Sequence, residues 1–133
     1  CRGGYGLFST TNDYAAFVRM LLNGKAPSGE VVLSPKTLEL MHPNRVRQNE
    51  LPLRISYWPL AGYGWNLIGR VMLDPSTAIA ATNLDEFGWA GAASTFFWVD
   101  PKEQLTGVIM TQFIGSGVPL IEDLQNAVHE ELK

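Results

Sequence analysis

The small residues around Trp89 are the part of this chain whose types and spacing most suggest chemistry. The stretch FGWAGAASTFFWVDPKEQ covers residues 87–104, and its small residues run from Gly88 to Ser94. They stand immediately before an aromatic run that predicts a β-strand. Small residues at such a place either allow tight packing or let a bound molecule approach the backbone closely. The residues alone leave both interpretations open.

A complete set of catalytic side chains is not found. No Ser is followed three residues later by Lys, and Ser116 has Ile114 where a G-x-S-x-G turn requires its first Gly. We interpret His42 and His129, the two histidines, as surface or helix-end residues. Their separation gives no zinc-binding pattern, and the glycines match neither a dinucleotide-binding motif nor a P-loop. We therefore expect no metal and no cofactor.

Two acidic pairs are the other candidates for chemistry. Glu122 and Asp123 stand at the start of a predicted helix, where the helix dipole favours negative charge. Asp85 and Glu86 precede the Trp89 segment. We interpret this second pair as part of a solvated loop, and the alternative is that it lines a cleft.

Composition limits the class of protein. The chain has 133 residues, of which 46% are hydrophobic and 17% charged, so we expect one globular domain over residues 1–133. A net charge of -3 and ten scattered basic residues argue against a nucleic-acid partner. No apolar run approaches the ~20 residues that span a bilayer, and no signal peptide is recognised. A single cysteine, Cys1, excludes an internal disulfide.

Hydrophobic periodicity and capping residues predict an α+β fold, an antiparallel sheet flanked by helices. A first helix begins after Ser9 or Thr10 and ends at Gly24, and a short one lies between Ser34 and Pro43. Residues 43–61 read as a loop with a strand near Arg54 to Tyr57. Two hairpins are predicted next. The first pairs a strand at 62–73 with one at 77–83, and the second pairs a strand at 93–99 with one at 105–114. The strands of the second hairpin are apolar on both faces, so we expect them to be covered on both sides. The last helix carries an apolar stripe of Leu120, Ile121, Leu124, Ala127, Val128 and Leu132.

Three segments in order resemble the C-terminal part of the serine β-lactamase-like family, which includes class C β-lactamases, penicillin-binding esterases and D-aminopeptidase-type enzymes. GGYGLFSTTNDYAAFVRMLLNGK is similar to the family's GG-G-L-STA-DYARF segment. VVLSPKTLELM is similar to its ILSPETV-LM segment, and FGWAGAASTFFWVDP to its FGWGGAAGT-FWVDP strand pair. The resemblance implies a partial β-lactamase/transpeptidase-like fold that lacks the helical domain.

The resemblance also implies roles for four residues. Trp89-Ala90-Gly91 matches the family's third active-site motif, which lies on an edge strand facing the cleft. Trp89, Ala90 and Gly91 would then contact substrate, and the backbone N–H of Ala92 would be an oxyanion-hole donor. Penicillin-recognising members carry Lys where this chain has Trp89, so we expect an ester or uncharged amide substrate rather than a β-lactam.

The family's nucleophile and base motifs are not found in this sequence, so the resemblance implies a C-terminal fragment of a serine hydrolase, inactive by itself. The alternatives are a non-catalytic binding or oligomerisation module and a subunit that completes a site with another chain. Exposed sheet edges would favour a homo-oligomer. Bacterial members of the family are often exported, which leaves an exported or periplasmic location open.

Overall fold

The computed structural model describes residues 6–55, 58–115 and 119–132. Over these residues the chain forms an α+β fold, as predicted. The helices are α1 (Thr11–Asn23), α2 (Pro35–Met41) and α3 (Leu120–Glu131), with short 3-10 turns at Gln48–Glu50 and Pro75–Thr77. The strands are β1 (Leu53–Ile55), β2 (Trp58–Leu60), β3 (Tyr63–Trp65), β4 (Arg70–Met72), β5 (Phe87–Ala90), β6 (Phe96–Asp100) and β7 (Leu105–Ile109).

One antiparallel sheet organises the fold. Its strand order is β3-β4-β5-β6-β7, and β1 and β2 form a separate small hairpin in the predicted loop. The predicted strand near Arg54 is therefore confirmed as part of that hairpin. Predictions that concern Cys1, Tyr57 and Ser116 lie outside the described residues and stay predictions.

Helix α1 forms where local signals place it. The Thr10 hydroxyl accepts a hydrogen bond from the Asp13 N–H at 3.2 Å, which caps the first turn. Gly24 ends the helix in the left-handed conformation, with φ of 77°, and its N–H donates to the Met20 carbonyl oxygen. Val18 and Leu21 are buried against the sheet. The prediction of this helix is confirmed at both ends.

Helix α2 begins as predicted, with Ser34 accepting from the Thr37 N–H at 3.1 Å and Pro35 in the first helical position. It ends at Met41, and His42 is its C-terminal cap. Pro43 follows, as the sequence indicated. The short helix thus leads the chain directly towards β3, where the Arg45 N–H donates to the Trp65 carbonyl oxygen at 2.7 Å.

Strand β6 is covered on both faces. Phe97 and Val99 pack in one cluster with α1, whereas Phe96 and Trp98 pack with α3. All five residues of β6 are buried, which confirms the prediction of a covered strand. The same prediction is wrong for β7, which is the last strand of the described sheet and is only partly buried along most of its length.

The first predicted hairpin is wrong because the chain turns earlier. Strands β3 and β4 both lie within residues 62–73, and Asn66 closes the turn between them. Its side-chain oxygen accepts from the N–H groups of Ile68 at 2.8 Å and Gly69 at 2.9 Å. Residues 77–83 form no strand, since Asp74 initiates a 3-10 turn by accepting from the Ser76 N–H at 3.1 Å.

Helix α3 packs on the sheet through only part of its predicted apolar stripe. Ile121 and Val128 pack against Phe96 and Trp98, and Gln125 between them is buried. The predicted stripe residues Leu120, Leu124 and Leu132 are 41%, 37% and 48% exposed. A buried polar residue therefore occupies the centre of the contact face.

Among the described helices, none is long and apolar enough to cross a membrane. The three basic residues of the Pro-rich segment, Arg45, Arg47 and Arg54, are exposed, as expected of a solvated loop.

Candidate functional site

The candidate site is built on the end of β5. Trp89 pairs with Phe97 and Ala90 with Phe96, both on β6. The resemblance implied an edge strand, and this is wrong for β5 as a whole, since it lies third of five strands. However, β4 pairs only with the first two residues of β5, so Trp89 and Ala90 have strand partners on one side alone. The end of β5 is therefore open where the expected motif lies.

A tight turn connects this open end to β6. The Gly91 N–H donates to the Thr95 carbonyl oxygen at 2.8 Å, and the Ser94 N–H donates to the Gly91 carbonyl oxygen at 3.2 Å. Ala92 and Ala93 are thus the two central residues of a β-turn, and Ser94 takes a left-handed conformation with φ of 56°. The turn fixes the direction in which the Ala92 N–H points.

Two side-chain contacts hold this turn against the chain that follows β7. The Ser94 hydroxyl donates to the Phe113 carbonyl oxygen at 2.8 Å. The Thr111 hydroxyl donates to the Ala93 carbonyl oxygen. Neither contact uses the Ala92 N–H, and this exposed group makes no hydrogen bond to any residue that the structure describes. It is therefore a fixed and available donor.

An uncharged cavity of about 190 Å³ lies beside the turn. Trp89 forms part of its wall, and the Trp65 ring packs edge-on against Trp89 with 4.6 Å between ring centroids. No lining residue is charged; the lining comprises Tyr14, Trp89, Ala90, Gly91, Thr95, Phe96, Phe97 and Met110. The arrangement suits an apolar, uncharged group placed next to a backbone donor.

Tyr14, on helix α1, lines the cavity but was not predicted as a site residue from the sequence. Its ring lies 5.9 Å from that of Phe97. Burial raises the pKa of Tyr14 above its ordinary value, so the phenol stays neutral and can donate a hydrogen bond. Its position in the first turn of the helix carries no signal of a cavity, because helical periodicity does not distinguish core from cleft.

The glycines of this segment also have packing reasons. A Cβ at Gly88 would lie 2.0 Å from the Phe97 carbonyl oxygen, and one at Gly91 would lie 2.2 Å from the Thr95 hydroxyl. Gly88 is thus required by the strand pairing itself, because its close neighbours are backbone atoms, whereas the contact at Gly91 involves only the Thr95 side chain, which can rotate away. Both interpretations left open by the sequence are therefore compatible, and they apply to different glycines.

His42 is a helix-end residue, as expected, but not a surface one. Its Nε2 donates to the Leu21 carbonyl oxygen at 2.9 Å, and its ring lies 4.7 Å from that of Phe87. The side chain thereby joins α1 and α2 to the sheet. His42 therefore has a packing role rather than an acid–base role.

The interpretation of Asp85 and Glu86 as solvated is correct only for Asp85. Glu86 is 3% exposed, and burial, with Asp100 nearby, raises the pKa of Glu86 to about 7. The Gln125 amide donates to Glu86 Oε1 at 2.9 Å and opposes this rise. His129, expected at the surface, has a side chain only 12% exposed and lies beside Glu86. The sequence gives no signal for this grouping, because the residues are distant along the chain.

Comparison with known proteins decides the family. The family model described as "Beta-lactamase" matches residues 2–129. The chain belongs to the beta-lactamase family. Two Mycobacterium tuberculosis proteins, Protein Rv1367c of strain H37Rv and Uncharacterized protein MT1414 of strain CDC 1551, are each 35% identical to it over 118 residues. The match covers 84% of this beta-lactamase-family chain and 29% of each relative.

Solved structures show the same fold. EstCE1, described as a hydrolase with promiscuous acyltransferase activity, aligns with a TM-score of 0.74 at 22% identity, over 91% of this chain and 30% of its own. Simvastatin synthase (LovD) from Aspergillus terreus aligns with a TM-score of 0.76 at 18% identity, over 100% of this chain and 37% of its own. The beta-lactamase-family chain thus spans about a third of the length of these neighbours.

Proposed function

We propose that this chain supplies one wall of the acyl-transfer site of a serine hydrolase that acts on an ester or uncharged amide. The observation that carries the proposal is the Ala92 N–H, which has no partner among the described residues and is fixed by the Gly91–Ser94 turn beside an uncharged cavity. In this role Trp89, Ala90 and Gly91 contact the substrate. Ala92 donates to the oxyanion of the tetrahedral intermediate, where charge develops in the transition state.

Three considerations support an acyl-transfer role over a binding role alone. Family membership brings the expectation of acyl-enzyme chemistry, and EstCE1 is itself described as a hydrolase with acyltransferase activity. An oxyanion donor has to be held in place before the reaction, and two backbone hydrogen bonds hold this turn. The nucleophile and the base would come from the remainder of a longer protein, since this sequence contains no Ser-x-x-Lys.

Turnover of p-nitrophenyl acetate tests this proposal. We expect the whole protein that carries this segment to release p-nitrophenol repeatedly and to gain the mass of one acetyl group, because an acyl-enzyme forms at its Ser. The chain of 133 residues alone should show neither effect. The reading frame upstream of Cys1 should encode Ser-x-x-Lys. Acetylation and turnover by the isolated chain, or a whole protein without either, would overturn the proposal.

A substitution at Trp89 tests the substrate class. Trp89→Lys places a cation in a cavity that has none, so it should favour substrates that carry a carboxylate. In the whole protein we expect the ratio of kcat/KM for nitrocefin to that for p-nitrophenyl acetate to rise about tenfold or more, since hydrogen bonds to charged groups contribute roughly 1.5–3 kcal/mol. Trp89→Phe, which keeps a ring and adds no charge, is the control. An equal change in both variants would show that Trp89 does not select by charge.

A further inference from the structure

Three potential metal ligands meet where α3 crosses the sheet. Glu86 immediately precedes β5, Asp100 is the last residue of β6, and His129 lies in the last turn of α3. His129 Nε2 lies 3.8 Å from Glu86 Oε2 and 4.0 Å from Asp100 Oδ2, and the three ligand atoms lie within 4.8 Å of one another. This group is at the opposite end of β5 from Gly91, so it is separate from the proposed acyl-transfer site.

The atoms that face one another are buried, and two of the three have no hydrogen-bond partner among the described residues. Glu86 is 3% exposed and Asp100 0% exposed, and the His129 side chain is 12% exposed. Within the described part of the chain, Glu86 Oε2 and His129 Nε2 form no hydrogen bond. The Thr82 hydroxyl lies close enough to Glu86 to lower the pKa of that carboxyl, although it makes no hydrogen bond to Glu86 and has only a long contact, 3.5 Å, with the Asn83 carbonyl oxygen. Buried polar atoms without a partner are rare in folded proteins and indicate something that the protein chain itself does not supply.

Hydrogen bonds hold both carboxylates in place, including one to Asp100 Oδ2 itself. Gln125 donates to Glu86 Oε1 at 2.9 Å, and Asn83 donates to Asp100 Oδ2 at 2.7 Å. Asp100 Oδ1 accepts from the N–H groups of Lys102 at 2.9 Å and Glu103 at 3.1 Å. Such outer contacts orient metal ligands in known sites, because they fix the carboxylate before the ion binds. Here they leave Glu86 Oε2 directed at the shared space.

We propose that Glu86, Asp100 and His129 bind one divalent transition-metal ion of the zinc type, which fastens α3 to the sheet. An imidazole nitrogen with two carboxylates suits such an ion, and water would complete its coordination. A tetrahedral ion with bonds near 2.1 Å places its ligand atoms roughly 3.4 Å apart. The 3.8 Å and 4.0 Å separations, and a separation of up to 4.8 Å between the carboxylate oxygens, therefore require the side chains to move inward by up to about an ångström when the ion binds.

Nitrogen NMR of the histidine rings tests the site without a substitution at any of its three ligands. A tag-free chain carrying Cys1→Ser, which removes the only thiol, is stripped with EDTA and titrated with Zn²⁺. We expect the Nε2 resonance of His129 to shift until one equivalent is bound. His42 is the internal control, since its Nε2 already donates to the Leu21 carbonyl oxygen. A static His129 resonance, or equal shifts of both histidines, would overturn the proposal.

Thermal unfolding in Zn²⁺ gives a second readout with matched variants. At a Zn²⁺ concentration about a hundredfold above Kd we expect Tm to rise by about 10 °C. Glu86→Gln and His129→Gln should remove this rise, and Glu130→Gln, at an exposed neighbouring position of α3, should keep it. A rise that persists in both ligand variants would place the ion elsewhere. If a variant does not fold, the titration of the unsubstituted rings still decides the outcome.

Discussion

Ala92→Pro should lower kcat for ester hydrolysis by about 100- to 1,000-fold in the whole protein, the usual cost of losing one oxyanion-hole donor. Proline has no N–H, so the substitution removes the proposed donor and places its ring Cδ where that hydrogen pointed. The position tolerates proline because Ala92 is the first central residue of the turn closed by Gly91 and Ser94, where proline is favoured. Initial rates with p-nitrophenyl acetate measure the effect.

Ala92→Ser is the control for this prediction, because it changes an exposed side chain and keeps the backbone N–H. Its kcat should stay within about twofold of the wild-type value, as expected of an exposed substitution that leaves the donor in place. Circular dichroism and Tm establish that both variants fold. A folded Ala92→Pro protein with wild-type kcat would show that this N–H does not stabilise the transition state.

Trp98→Ala should lower the free energy of unfolding by about 3–5 kcal/mol, the range for truncating a large buried aromatic residue. Trp98 is 2% exposed, stacks on Phe96 with 5.9 Å between ring centroids, and packs with Ile121 and Val128 of α3. Urea unfolding of the chain measures the loss. Trp98→Phe should cost much less, since it keeps a ring and removes an indole N–H that has no partner among the described residues.

The cross-strand neighbour of Trp98 gives an internal check on this packing. A Cβ at Gly107 would lie 2.1–2.3 Å from three atoms of the Trp98 ring, so Gly107→Ala alone should destabilise by about 1–3 kcal/mol. In a Trp98→Ala background the same change has room and should cost little. The two substitutions should therefore be non-additive by about 1–3 kcal/mol. Additive losses would mean that the indole does not lie over Gly107.

Features determined by neighbouring residues were predictable from the sequence. The caps at Thr10 and Gly24 act within a few residues of the helix they end, so α1 was predicted at both ends. The turn after β6 was predictable for the same reason, because Asp100 and Pro101 form it locally. Family membership was recognisable from three ordered segments, and the match over residues 2–129 confirms it.

Features determined by distant contacts were not predictable in this way. Residues 62–73 read as one strand, yet Asn66 turns the chain within them and donates to the His42 carbonyl oxygen at 3.0 Å. The spacing of Asn66 and Gly69 was the available signal for this turn. The contact face of α3 was predicted only in part, because Gln125 is buried by its hydrogen bond to Glu86 and apolar periodicity does not report polar partners.

The most direct test of the account is the structure of the whole protein after reaction with an alkyl phosphonate ester, whose phosphonyl oxygen mimics the oxyanion. The measured quantity is the distance from that oxygen to the Ala92 nitrogen. The account predicts roughly 2.7–3.1 Å, with the alkyl group in the cavity beside Trp89. A phosphonyl oxygen more than about 3.5 Å from this nitrogen, or a phosphonate bound away from Trp89, would contradict it.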